Sequence, residues 1–166
     1  MSEKIKVGIS IGDVNGIGLE VIIKTLADSR VFDYCTPIVY GNTKVASFHR
    51  KALDMGEFSF NVINDPSEAQ GKRANMINCW EEDVKIELGE TTETGGKYAF
   101  ISLERATNDL VAGHIGEHLV FELRRICAAF ANQITIEPLL GDAFELTKEM
   151  QFRVFARLTP SVQDQM

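Results

Sequence analysis

A chain of 166 residues with 45% apolar and 25% charged side chains suits one ordinary globular domain and is short for two. Its formal charge of -7 repels phosphate backbones, and no Lys/Arg cluster is long enough to make a local exception, so nucleic acid is excluded as an expected partner. No apolar run reaches membrane-spanning length and MSEKIKVGIS lacks the apolar core of a secretion signal, so no membrane association is expected and the expected compartment is the cytoplasm.

Lys4 to Ile11 reads KIKVGISI, with Ile5, Val7, Ile9 and Ile11 alternating as in a β-strand. After the glycine-rich GDVNGIG, the segment LEVIIKTLADS places Leu19, Ile22, Ile23 and Leu26 on one helical stripe. The pattern repeats: TPIVYG is a strand, TKVASFHRKALDMG a helix ending at Gly56, and FSFNVI another strand. Asn-Asp-Pro-Ser marks a turn, ANMINCW a further strand, and the acidic EEDVKIELGE a solvated loop or edge. GGKYAFISLERATNDLVAG carries Tyr98, Ile101, Leu103, Ala106 and Leu110 near helical spacing and predicts a long helix closed by Gly113. Alternating strands and helices of this kind imply an α/β fold with a layered parallel sheet.

Past this point the periodicity predicts an amphipathic helix over residues 117–131, with Leu119, Leu123, Ile126, Cys127 and Phe130 on one side. ITIEPLLG reads as a strand and turn, and QFRVFARL alternates as a strand that a helix over 142–150 could enter. Cys35, Cys79 and Cys127 are far apart without a CxxC pair, so buried free thiols are expected in place of a disulfide framework or zinc knuckle.

The chemistry-bearing candidate is the turn through Gly12, Asp13, Asn15, Gly16 and Gly18, between a strand and a helix N-terminus. Glycines let backbone approach a ligand, and first-turn amides favour an anionic group. The spacing is neither GxGxxG nor GxxxxGK[ST], so cofactor or anion binding stands beside plain tight-turn geometry, and Asp13 is equally a turn-former and an acid or base. Gly16 is the position expected to need positive φ or close backbone packing. His114 and His118 have i, i+4 spacing, but Gly113 and Gly116 oppose a helix there, so no metal site is expected; His49 reads as an exposed helix residue. Arg124 and Arg125 fall opposite the apolar stripe as a solvated face, and no Ser/His/Asp arrangement emerges, leaving the catalytic residues unassigned.

VGISIGDVNGIGLEVIIKTL resembles the N-terminal signature of the 4-hydroxythreonine-4-phosphate dehydrogenases, a strand running into a GDPAGIGPE-like turn and a helix. Val14 and Asn15 replace its Pro-Ala pair and Leu19 its second Pro. The likeness continues through PIVYGNTKV and GGKYAFISLERATNDLVAG, over residues 1 to about 114. It implies the first part of a two-domain fold similar to the isocitrate and isopropylmalate dehydrogenases, acting as a homodimer. It also implies NAD-dependent, divalent-metal-assisted oxidation of 4-phosphooxy-L-threonine, whose product loses carbon dioxide on the way to pyridoxal phosphate.

Family members continue with a strand, a TGPxxK-like turn and a GHTE-like segment, where this chain reads GEHLVFELRRICAAF; nor can its three histidines be matched to the family's metal ligands. The resulting expectation is a truncated or hybrid dehydrogenase segment over 1–114, followed by an unassigned tail, 115–166, with room to complete the same domain. Inactivity, no resident cofactor and self-association through uncovered sheet edges are expected of the chain by itself. The alternative is a non-catalytic α/β domain that binds a small anion or a protein partner.

Overall fold

The computed structural model describes residues 4–120. Their alternating pattern becomes β1 (Lys6–Ser10), α1 (Gly18–Leu26), β2 (Thr36–Gly41), α2 (Thr43–Ala52), β3 (Asn61–Ile63), β4 (Asn75–Asn78), α3 (Glu93–Val111) and β5 (Glu117–Val120). All strand pairs are parallel, in the order β3-β4-β2-β1-β5. Parallel neighbours need crossovers: α1 lies in the one from β1 to β2, whereas β3 reaches β4 through residues 64–74, whose only helical piece is the three-residue turn Pro66–Glu68.

The period-two alternation of the strands sorts the core into two clusters. Val7, Ile9, Val39 and Met76 meet Leu19, Ile22 and Leu26 of α1 and Val45 and Ala46 of α2. Ile38, Tyr40, Ile63 and Ile77 meet Ala106 of α3, with Leu110 against them. Every residue of β2 is buried, as expected of a central strand covered on both faces. No described helix is long and apolar enough to cross a membrane.

Two polar contacts fix α3 to the sheet. The buried Ser102 hydroxyl donates to the Tyr40 carbonyl at 2.6 Å and accepts from the Ile11 amide at 3.0 Å, serving backbone groups of neighbouring strands. The Tyr40 phenol donates to Asp109 Oδ2 at 2.9 Å, while the other oxygen of that carboxylate lies 3.1 Å from His114 Nδ1. Burial, then the carboxylate it bonds, pushes ionisation of the Tyr40 phenol well above its ordinary value of 10.0.

Four boundaries differ from the sequence reading. α2 stops at Ala52 instead of running to Gly56, because Asp54 takes the left-handed conformation at φ 55° and reverses the chain earlier. β3 is only three residues long, with Phe58 and Phe60 before it stacked edge to face at 4.9 Å. The strand read over 74–80 narrows to Asn75–Asn78.

The fourth difference is a correction of topology: residues 117–120 are not the first turn of a helix but β5, in register from Val7 with Glu117 to Ser10 with Val120. Gly113 at φ 76° ends α3, and the Gly116 amide donates to the Lys6 carbonyl at 2.8 Å, feeding the chain onto the open edge of β1. A strand there satisfies the β1 backbone, which a helix could not do. The remainder of that helix, ITIEPLLG, QFRVFARL, Cys127, Arg124 and Arg125 lie outside the described residues. Among the described residues Cys35 and Cys79 form no disulfide, and both are half-buried.

Tyr40→Phe should lower stability by about 1–3 kcal/mol, the scale for losing a buried bond to a carboxylate. Because the folded state raises the phenol pKa, its contribution is intact below pH 10 and declines as pH rises past the unfolded value. Urea midpoints at pH 8 and pH 10.5 should therefore fall further for the parent chain than for Tyr40→Phe; equal declines would contradict the buried phenol–carboxylate pair.

Candidate functional site

Gly12, Asp13, Asn15, Gly16 and Gly18 lie together in the connection from β1 to α1, beyond the carboxyl end of a central strand. In open parallel sheets this is where ligands bind. Gly12 has φ 72°, a left-handed conformation that a side chain would strain, whereas Gly16 is not among the positive-φ positions. The conformational requirement expected at Gly16 therefore falls on Gly12. Gly16 is buried, and its amide closes a turn onto the Asp13 carbonyl at 3.0 Å.

Asp13 Oδ1 accepts from the Asn15 amide at 2.9 Å, the side-chain-to-backbone bond that shapes an Asx turn. Asn15 is 2% exposed and has a partner for each end of its amide: Nδ2 donates to Thr92 Oγ1 at 3.0 Å, and Oδ1 accepts from the Glu87 amide at 2.8 Å. Its backbone carbonyl accepts from the Gly89 amide at 2.9 Å. Thr92 is the N-cap of α3 and accepts from the Gly95 amide at 3.0 Å. A Cβ on Gly95 would run into Asp13 Oδ1 and stand 3.1 Å from Asn15 Nδ2, so only glycine lets the first turn of α3 come this close.

A third support comes from α2. His49 is 4% exposed, and its Nε2 lies 2.8 Å from the Val14 carbonyl, which corrects the reading of His49 as an exposed helix residue. The ring carries its proton on Nε2 to make this bond. A signal for burial was present in the spacing, since His49 follows Val45 and Ala46, both buried, by four and three positions. Thr92, Gly95, Glu87 and Gly89 gave no comparable signal, because they meet the turn only through tertiary structure.

The side chains of Asp13 and Asn15 thus face into the protein. Outward, the turn presents Ile17, 62% exposed, which occupies the cap position of α1 and supplies no side-chain bond to the first-turn amides, while Gly18 and Leu19 that follow are buried. The other two α-helices are capped by Asn42 and Thr92. Glu20 in the first turn of α1 already uses part of the favourable helix field. At the end of β4, burial pushes the Cys79 thiol up to about 12, so it stays a neutral thiol at physiological pH.

His114 and His118 are not on one helix. The first follows the end of α3 and bonds Asp109, and the second lies on β5. Among the described residues no group of three or more His, Cys, Asp or Glu is placed to hold a metal ion.

Gly95→Ala should cost about 1–3 kcal/mol through overpacking against Asp13 and Asn15. Gly12→Ala should cost about 1–2 kcal/mol through left-handed strain. Gly56→Ala, with nothing within 4 Å of the added Cβ, is the matched control and should be near neutral. Urea midpoints rank the three, and a Gly95→Ala midpoint equal to the control would mean that the turn is not seated on α3.

Comparison with known proteins agrees with this architecture. The family described as pyridoxal phosphate biosynthetic protein PdxA matches residues 33–121, ending just past β5. A 4-hydroxythreonine-4-phosphate dehydrogenase of Bacteroides thetaiotaomicron is 45% identical over 112 residues, covering 68% of this chain and 30% of that protein. An Oceanobacillus iheyensis protein named for D-threonate 4-phosphate dehydrogenase activity is 34% identical over 109 residues, covering 64% of this chain and 32% of that protein. The chain spans about a third of the length of these relatives. The crystal structure of a 4-hydroxythreonine-4-phosphate dehydrogenase from Burkholderia phymatum superposes with a TM-score of 0.60 at 22% identity, over 78% of this chain and 44% of that one. That likeness places the described residues in the isocitrate/isopropylmalate dehydrogenase-like fold. With the family match covering more than half of the sequence, the chain belongs to the PdxA family of pyridoxal phosphate biosynthetic proteins.

Proposed function

We propose that the turn from Gly12 to Gly18 and the first turn of α1 form the anion seat of an NAD-dependent dehydrogenase for small phosphorylated hydroxy acids, of which the described residues supply the opening α/β segment. The observation that carries this reading is the absence of a side-chain cap on α1, the helix that follows the glycine-rich turn. First-turn amides that the side chain of the cap residue does not satisfy are suited to a phosphate, either of the substrate or of the cofactor. 4-Phosphooxy-L-threonine is the substrate suggested by the Bacteroides relative, and D-threonate 4-phosphate by the Oceanobacillus one. Both present a secondary alcohol to be oxidised and a phosphate to be held.

The family's divalent metal finds no fitting donor set among the described residues. Their two histidines with placed side chains are committed, His49 to a backbone carbonyl and His114 to a carboxylate. No step through a metal is therefore assigned to this segment. The dimeric state and cytoplasmic location of the family reading belong to the same proposal. Self-association is supported by Ile17, Val21, Phe48 and Leu88, apolar side chains left exposed on the described surface.

The 166-residue chain by itself should not turn over. Hydride transfer needs the alcohol oriented beside the nicotinamide and its growing charge stabilised. Loss of one electrostatic element commonly costs a factor of about 100 or more. Losing several that act as a unit should leave no measurable rate. Purified chain mixed with NAD and 4-phosphooxy-L-threonine, with or without magnesium or zinc, should give no NADH. Inorganic phosphate should meanwhile shift the backbone amide resonances of Gly18, Leu19 and Glu20 saturably. Metal-dependent NADH formation would overturn the assignment of inactivity, and unmoved amides would overturn the anion seat.

A further inference from the structure

We propose that Asn15–Gly16 is a site of spontaneous covalent modification, the deamidation of Asn15 by the backbone of Gly16, and that the docked cap of α3 holds it in check. Of the eight asparagines in the chain, Asn15 alone precedes a glycine. In the reaction the Gly16 amide nitrogen gives up its proton and attacks Cγ of Asn15. The Cγ–Nδ2 bond breaks, and Nδ2 takes up a proton and leaves as ammonia. Water then opens the resulting succinimide ring at either carbonyl, so asparagine plus water becomes aspartate or isoaspartate plus ammonia. Glycine hinders the attack least, because it has no Cβ and turns readily into the conformation that ring closure needs.

The fold withholds each requirement of this chemistry. Gly16 is buried and its N–H donates to the Asp13 carbonyl at 3.0 Å, so the nucleophile is shielded and its proton is engaged. The Asn15 carboxamide is fastened at both ends, to Thr92 Oγ1 at 3.0 Å and to the Glu87 amide at 2.8 Å, and cannot swing toward Gly16. The first turn of α3 packs so closely that a Cβ on Gly95 would stand 3.1 Å from Asn15 Nδ2. The restraints on the side chain are all tertiary, and they fail together when the loop through Glu87 and the start of α3 lift away. Partial openings of this kind cost less than unfolding the whole domain. Neither product fits the seat left behind. Aspartate has no Nδ2 donor for Thr92, and isoaspartate runs the main chain through Cγ, displacing from it the carbonyl that meets the Gly89 amide. Modification is thus a one-way record of openings of the α3 cap.

The test incubates the full chain at pH 8 in heavy-oxygen water and follows each asparagine by peptide mass spectrometry. In denaturing guanidinium chloride Asn15 should react faster than the other asparagines, and in native buffer at least tenfold more slowly than in denaturant. A guanidinium series below the unfolding transition should raise the Asn15 rate in step with hydrogen exchange of the Glu87 amide, and not with that of the Val39 amide in the buried centre of β2. Thr92→Val removes the acceptor of Asn15 Nδ2 and should speed native deamidation at least fivefold, while Thr92→Ser should keep the parent rate. Tyr40→Phe weakens the far end of α3 and should change the rate less than twofold. If Thr92→Val fails to fold, the guanidinium series on the parent chain decides. A native rate equal to the denatured one, a rate that tracks the Val39 amide, an unchanged rate in folded Thr92→Val, or equal acceleration by Tyr40→Phe would each overturn the proposal.

Discussion

Burying the Asn15 side chain removes water from an amide with two donors and an acceptor, and a buried amide left unpaired costs on the order of 1–3 kcal/mol. The fold meets that demand from two directions, through the Glu87 amide and the Thr92 hydroxyl, which are 72 and 77 residues further along the chain. The long loop after β4 must therefore fold back across the carboxyl end of β1 before α3 begins. Where that loop goes decides where α3 starts, because Thr92 both receives Asn15 and caps the helix. Ser102 then meets the ends of β1 and β2, and Asp109 meets the Tyr40 phenol. One polar residue in the turn is thus bonded both to the loop that leads into α3 and to the residue that caps it.

Asn15 is also a point of departure from the family pattern, standing with Val14 in place of a Pro-Ala pair. An alanine there could not bridge the loop and the α3 cap, and a proline at 14 would constrain the backbone whose carbonyl now meets His49. In this chain hydrogen bonds from α2, from the loop after β4 and from the cap of α3 hold the turn at the positions where the family pattern carries Pro-Ala. The trade is between a conformational restraint acting within the turn and tertiary restraints that form only when α2, the loop and α3 have docked.

How much of this was legible in the sequence follows from the range of the forces involved. β1, β2, α1 and α3 were readable because each carries its own period of apolar residues, and the glycine-rich turn because glycine spacing is local information. β5 was misread because Leu119 and its apolar successors satisfy a helical stripe, while the deciding factor, the unpaired edge of β1, lies more than a hundred residues earlier. His49 was misjudged for its basic neighbours Arg50 and Lys51, although a helix separates adjacent residues by about 100° and lets one turn inward while the next stays out. The five turn residues stay together because they are close in sequence, but the inward orientation of Asp13 and Asn15 carries no local signal. Nothing local distinguishes an asparagine side chain offered to a ligand from one consumed by the fold.

That orientation changes what kind of recognition the turn can perform. With Asp13 and Asn15 committed inward, what the proposed anion seat has left are the first-turn amides and the field of α1, and these recognise charge more than shape. The net charge of -7 opposes any anion at long range, but at physiological ionic strength it is screened beyond about 8 Å, whereas an anion at the α1 N-terminus would sit within hydrogen-bonding distance of the amides. Local donors can therefore outweigh the global field once the anion arrives, while the field slows the arrival. Under the proposed anion-seat reading, discrimination between one phosphorylated hydroxy acid and another would rest on groups other than this turn.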